Sequence, residues 1–273
     1  MSRLRPHAGR DVALRAPGPV RSIADASPTT IAALLIAVAW LGAVLLEVTG
    51  HAAALHHHAL IEGEPGETVP PLWLSIPIFL VAWQLMIGAM MLPASVRAVG
   101  VLAGSRLVSR PAAALAGFLA AYSIVWTAFG LAAFVADIGL HHLVDATPAL
   151  ADRPWLIQAA TIALAGTWQL VPVRRRALEA CRHPGARMVE RSGDAATGFR
   201  IGLAHALDCL VCSWALMLLM FAAGFANLAW MVVLAVVMAY EALGRHGTSF
   251  GKAVAAGLLG LATVAASGVV LGF

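Results

Sequence analysis

Seven predominantly apolar stretches, separated by charged connectors, constrain this chain more than any other feature. They run at roughly 30–50, 72–92, 111–136, 155–172, 201–223, 226–243 and 253–272. About 20 apolar residues suffice for a helix to cross a bilayer. Most of the stretches reach that length, and 226–243, although short, stays within range. The composition points the same way, with 60% apolar and 12% charged side chains and a mean hydropathy of +0.84. A soluble domain carries about 25% charged residues, so an ordinary cytosolic globule is excluded. Disorder, which needs low hydrophobicity, is excluded as well. The predicted class is all-α, a polytopic transmembrane bundle of about seven spans over residues 30–273.

Residues 1–29 hold five Arg together with Pro17, Pro19 and Pro28. They are expected to form a disordered basic cytoplasmic tail. A secretory signal is the competing reading, but the following apolar run is too long and lacks an Ala-x-Ala-like site.

Orientation follows from the basic residues, which concentrate on the cytoplasmic side of membrane proteins. With the N-terminus inside, segments 1–29, 94–110, 173–200 and 244–252 hold 17 of the 18 Lys and Arg, leaving only Arg153 outside. The C-terminus is then outside. The net charge of +4 is a topology signal, and nucleic acid is not an expected partner. Arg174–Arg176 in the third inner segment are expected to set topology and touch anionic lipid. There is no internal repeat, P-loop, Rossmann glycine pattern or nucleophile elbow. Gly198-x-x-x-Gly202 and Gly247-x-x-x-Gly251 match a helix-packing spacing, but such matches are frequent in glycine-rich membrane chains and carry no weight here.

Polar groups inside a span cost energy, so function is sought there. On the fifth stretch His205, Asp208, Cys209 and Cys212 fall within about 100° of one another around a helix. Imidazole and two thiols at i, i+4 and i+7 are soft ligands suited to Cu(I) or Zn. The competing reading is core packing, with small Cys side chains filling space and His and Asp bonding neighbouring helices. On the second stretch Met86 and Met90 share a face with Trp83 and Pro93, either as soft thioether ligands or as simple core. On the sixth, Asn227, Met231, Met238 and Glu241 share a face. Glu241 is a partner for the site or, alternatively, a surface partner of Arg245 at i+4.

Depth connects these groups. At about 1.5 Å per residue, His205 lies roughly 8 Å and Cys209 roughly 14 Å in from Arg200. Met86, Met90 and Glu241 reach similar depths in the inner half of the bilayer. His205, Cys209 and Cys212 are the expected core ligands, supplemented by Met86 or Met90. Asp208, Glu241 and Asn227 are expected to support them. For Cys181, in an inner loop, an exposed thiol that hands metal on is the minor reading, and its loss is expected to leave soft-metal binding intact. A second group collects outside: Glu47, His51, His56, His57, His58 and Glu62 after the first span, and Asp137, His141 and His142 after the third. Short His-rich tracts bind transition metals readily. The alternative is a set of interfacial polar residues.

These motifs resemble a known bacterial family. Trp83-x-x-Met86-x-x-x-Met90-Met91-x-Pro93, Trp168-Gln169-x-x-Pro172 with Cys181-Arg182-x-Pro184, and His205-x-x-Asp208-Cys209-x-x-Cys212-Ser213-Trp214 are followed by Asn227-x-x-Trp230-Met231 and Glu241. The chain is similar in this order, over about residues 72–245, to the domain of unknown function 2182 family of metal-binding integral membrane proteins. Members often read Gly-Cys-Cys-Trp where this chain has Val211-Cys212-Ser213-Trp214, so one thiol is missing from that position. The resemblance implies a metal site in a bacterial inner membrane and no particular reaction.

Copper handling by transport, delivery or sensing is the leading expectation, with Cu(I) favoured over zinc because thioethers join the thiols and imidazole. The bilayer, the metal ion and a metal chaperone or other membrane subunit are the expected partners. The alternatives are a membrane thiol–disulfide oxidoreductase using Cys209 and Cys212, the one enzymatic reading, and a structural membrane subunit.

Overall fold

The computed structural model describes residues 27–52, 71–106, 108–187, 193–222 and 227–268. The tail through residue 26 and the His56, His57, His58 and Glu62 cluster lie outside the described residues. The described chain is helical, without strands: α1 Pro28–Val48, α2 Leu72–Met90, α3 Leu92–Ala103, α4 Pro111–Asp145, α5 Pro148–Ala151, α6 Trp155–Trp168, α7 Pro172–Arg182, α8 Asp194–Ala222, α9 Leu228–Leu243 and α10 Gly247–Ala266. A 3₁₀ turn, Pro184–Arg187, follows α7.

Proline sets many of the boundaries. It occupies the first or second position of α1, α3, α4, α5 and α7, where its missing N–H costs no intrahelical bond. Among the described residues, five helices (α1, α2, α4, α8 and α10) are long and apolar enough to cross a membrane. The bent pair α6–α7 makes a sixth if counted as one span. The expected fourth stretch is therefore not one straight helix, for α6 and α7 meet at 65° just before Pro172. The sixth stretch is α9, only 16 residues long. The second continues past Met91 into the separate helix α3.

The α4–α8 pair is the most extensive helix contact, and glycine makes it close. A Cβ at Gly198 would overlap the Ala114 carbonyl outright, and one at Gly202 would lie 2.5 Å from the Phe118 carbonyl oxygen. The Gly198-x-x-x-Gly202 spacing, unweighted from sequence alone, is thus the seam along which α8 lies on α4. Gly130 similarly admits Trp83, whose indole Nε1 donates to the Trp126 carbonyl at 2.8 Å. Large apolar side chains such as Leu34, Val38, Trp73, Val81 and Val236 remain on the outside, the distribution expected when the surrounding solvent is lipid.

Candidate functional site

α8 carries the site's main face. His205, Cys209 and Cys212 are buried on it at 5%, 4% and 8% exposure. They line a cavity of about 20 Å³ together with Cys181 from α7, Met91 from the α2–α3 junction and Met238 from α9. A single water needs roughly 10–15 Å³, so the space suits one small guest. Cys181, Cys209 and Cys212 all line this cavity, and all three are free of disulfides.

Cys181 corrects an expectation. Instead of an exposed loop thiol, it is a buried residue near the end of α7, at 5% exposure. Arg174, Ala177, Leu178 and Cys181 are the buried residues of this helix, a three-and-four spacing that turns one face inward. Arg174 is the second correction. It is buried at 2%, where lipid contact was expected. Its guanidinium pairs with the Glu241 carboxylate, and its Nε donates to the Cys212 carbonyl at 3.1 Å. Glu241, which also lines the cavity, therefore pairs across helices and not with Arg245.

Glycine again provides the room. A Cβ at Gly251 would lie 2.9 Å from Arg174 Nη1 and 3.2 Å from Glu241 Oε1. Nearer the helix ends, Arg182 donates to the Glu241 carbonyl and, at 2.6 Å, to that of Gly244. Arg97 donates to the Arg182 and Leu243 carbonyls, each at 3.2 Å. Two guanidinium groups thus clasp the carbonyl ends of α7 and α9 beside the cavity, and Gly247 leaves space for one of them.

The sulfur and nitrogen donors sit among hydrogen-bonding groups. Cys212 Sγ donates to the Cys209 carbonyl at 3.2 Å, and Ser213 Oγ donates to the same oxygen at 2.6 Å. Ser213 also reaches Met91 Sδ at 3.7 Å. His205 Nε2 lies 3.1 Å from Ser95 Oγ, and Tyr122 Oη lies 3.2 Å from Cys209 Sγ. Among the described residues, no three His, Cys, Asp or Glu side chains form a ready-made ligand group. The cavity gathers soft donors, with the Cys212 thiol engaged with backbone and the Cys209 sulfur with Tyr122. Loading a metal requires those thiols to lose protons and turn toward one point.

Other expected residues fall elsewhere. Met86 and Met90 are buried at 2% and 0% but do not line the cavity. Asp208 is half-buried and likewise outside it. Asn227 caps α9, its Oδ1 accepting from the Trp230 N–H at 3.1 Å, at the helix end opposite Glu241. Glu47, His51 and His142 are exposed. His51 Nδ1 bonds Thr49 Oγ1 at 3.0 Å, and His141 Nδ1 bonds the Asp137 carbonyl at 2.8 Å.

Sequence reasoning missed Ser95, Tyr122, Arg174 and Cys181 as site groups. Tyr122 left a signal, being one of only two Tyr in the chain and a polar group within an apolar stretch. Arg174 and Cys181 left the inward periodicity just described. Ser95 left none.

Residues 80–265 match the model of the PpoB2 family, a copper chaperone. The chain belongs to the PpoB2 copper-chaperone family. The matched segment takes in every cavity residue of this PpoB2 member, from Met91 to Ala242, and leaves out Glu47, His51 and His56–His58. No curated protein and no solved structure gives a significant match.

Proposed function

We propose that this PpoB2-family chain is an inner-membrane Cu(I) carrier whose cargo ion is held in the thiol cavity and passed to a partner. One observation carries the reading: three thiols, an imidazole and two thioethers surround a space sized for one small guest. Thiolate, thioether and imidazole are all soft enough for Cu(I), whereas zinc has no use for Met91 and Met238. Cys181, Cys209 and Cys212 are the proposed thiolate ligands. His205 completes the set, and Met91 and Met238 take the place expected for Met86 and Met90. Glu241 and Arg174 hold α7, α8 and α9 around the ion. Outside, Glu47, His51, His141 and His142 with His56–His58 serve to collect copper. The motifs that resemble the domain of unknown function 2182 family, from Trp83 to Glu241, fall within the matched segment and support the same site.

Detergent-purified protein titrated with Cu(I) under reducing conditions is expected to bind one ion per chain with copper–sulfur scattering in X-ray absorption. The Cys181→Ser, Cys209→Ser, Cys212→Ser triple variant is expected to bind none. Equal copper in both proteins overturns the assignment. A reducible bridge joining two of these cysteines, with no copper bound, establishes thiol–disulfide exchange in its place. Replacement of His56, His57 and His58 by Ala is expected to lower copper uptake by cells without changing the purified protein's stoichiometry.

A further inference from the structure

Beside the cavity, four polar groups from three helices form one hydrogen-bonded chain. Tyr122 Oη on α4 lies 3.2 Å from Cys209 Sγ on α8. Ser95 Oγ on α3 donates to Tyr122 Oη at 3.2 Å and lies 3.1 Å from His205 Nε2, back on α8. The Met91 carbonyl is 3.2 Å from Ser95 Oγ and 3.4 Å from Tyr122 Oη. Ser95 and Tyr122 are buried at 0% and 2%. The Tyr122 ring stacks on Phe118 at 6.0 Å and on His205 at 6.2 Å. Packing accounts for that ring, which a Phe would supply equally well. It does not account for the hydroxyl, which is costly to bury and here ends on a cavity sulfur.

We propose that Tyr122 and Ser95 are positioning residues for copper, with Tyr122 donating its phenol proton to the Cys209 sulfur of the loaded site. The proposal rests on the Cu(I) site above. A copper-bound thiolate carries no proton, so the one hydrogen available to the Tyr122–Cys209 contact is then the phenol's. An O–H···S⁻ bond to an ionised acceptor is stronger than a neutral one, and stronger again away from water. It fixes the sulfur's position and withdraws some of its charge from copper. Ser95 braces the phenol oxygen and touches the imidazole, so that Cys209 and His205 approach the ion as a unit. Groups that orient metal ligands in this way typically contribute about 10–100-fold in affinity.

Tyr122→Phe, Ser95→Ala and wild type are to be compared by Cu(I) competition titration, by the energy of the thiolate–copper charge-transfer band, and by thermal unfolding without copper. Tyr122→Phe is expected to keep one copper per chain, lose about 10-fold or more in affinity and shift the band. Ser95→Ala is expected to do the same more weakly, with Ser95→Thr restoring the wild-type values. Unchanged affinity and band in Tyr122→Phe overturn the proposal. So does lost affinity with an unchanged band, which marks a structural hydroxyl. If Tyr122→Phe does not fold, Ser95→Ala and Ser95→Thr decide by the same criteria. Wild type that binds no copper fails at the earlier step and overturns the copper site itself.

Discussion

A thiol that lines one cavity with two others inside an apolar bundle has few uses besides packing, bridging and metal binding, and Cys181 is the residue on which these readings separate. It supplies the cavity shared by Cys209 and Cys212 with a third sulfur. Cys181→Ser is therefore expected to reduce Cu(I) binding as severely as Cys209→Ser, by 10-fold or more, measured by competition titration. Retained wild-type affinity would remove Cys181 from the ligand set. Arg174 and Glu241 make the second residue-scale prediction. Breaking a buried ion pair leaves an uncompensated charge and costs about 3–5 kcal/mol, whereas replacing both partners by apolar groups is often neutral. Arg174→Met alone should lower the unfolding temperature in detergent, and the Arg174→Met, Glu241→Met double variant should recover most of the loss. A double variant as unstable as the single would show that the charge pair is not the source. His205, Cys209, Cys212 and Glu241 were legible in the sequence because a charge or a soft ligand inside an apolar run stands out. Arg174 and Cys181 were not, because they belong to a charged segment that reads as a loop until its inward face is seen.

The elements show where periodicity succeeds and where it slips. Helices α1, α4 and α8 follow directly from long apolar runs, and the all-α class needs nothing further. Met86 and Met90 lie off the cavity for a geometric reason. Met86 and Met90 keep a four-residue spacing along α2, but α2 ends at Met90 and Pro93 restarts the chain as α3. Met91 sits at that break and turns to the cavity, which a single continuous helix does not anticipate. Glycine seams were illegible for another reason. A small residue is informative only through the backbone opposite it, and the sequence does not say what lies opposite. The seam gives a controlled test. Gly198→Ala forces α8 away from the Ala114 carbonyl, while Gly257 has nothing within 4 Å. Ala is the better helix former by about 1 kcal/mol, so Gly257→Ala should hold or raise the detergent unfolding temperature. Gly198→Ala should lower it by several degrees. Equal effects would mean that the α4–α8 contact does not depend on close approach.

At the scale of the whole molecule, the number of crossings turns on α9. Its 16 residues span about 24 Å, less than the hydrocarbon thickness of about 30 Å. Its end is nevertheless anchored, since Arg97 and Arg182 hold the Leu243, Glu241 and Gly244 carbonyls beside the α7 terminus. Cys212 lies 10 residues before the end of α8, and Met238 lies 10 residues after the start of α9. Both line one cavity, so α9 returns over about the rise that the second half of α8 climbs, roughly 15 Å. We propose that this antiparallel return makes α9 a crossing despite its length, with α10 then leading outward. With α2 counted with α3 and α6 with α7, this proposal gives the seven crossings for which 17 of 18 basic residues are expected on one side. Single cysteines in a chain with Cys181, Cys209 and Cys212 replaced by Ser provide the measurement. Arg106→Cys and Arg176→Cys, both at exposed positions, should resist a membrane-impermeant maleimide until the cells are permeabilised. Asp152→Cys and Ser267→Cys, likewise exposed, should react in intact cells. Labelling at Arg176→Cys from outside would invert the bundle and place the thiol cavity in the outer half of the bilayer. Protection at Ser267→Cys with labelling at Asp152→Cys would remove one crossing between them and require α9 to re-enter without spanning.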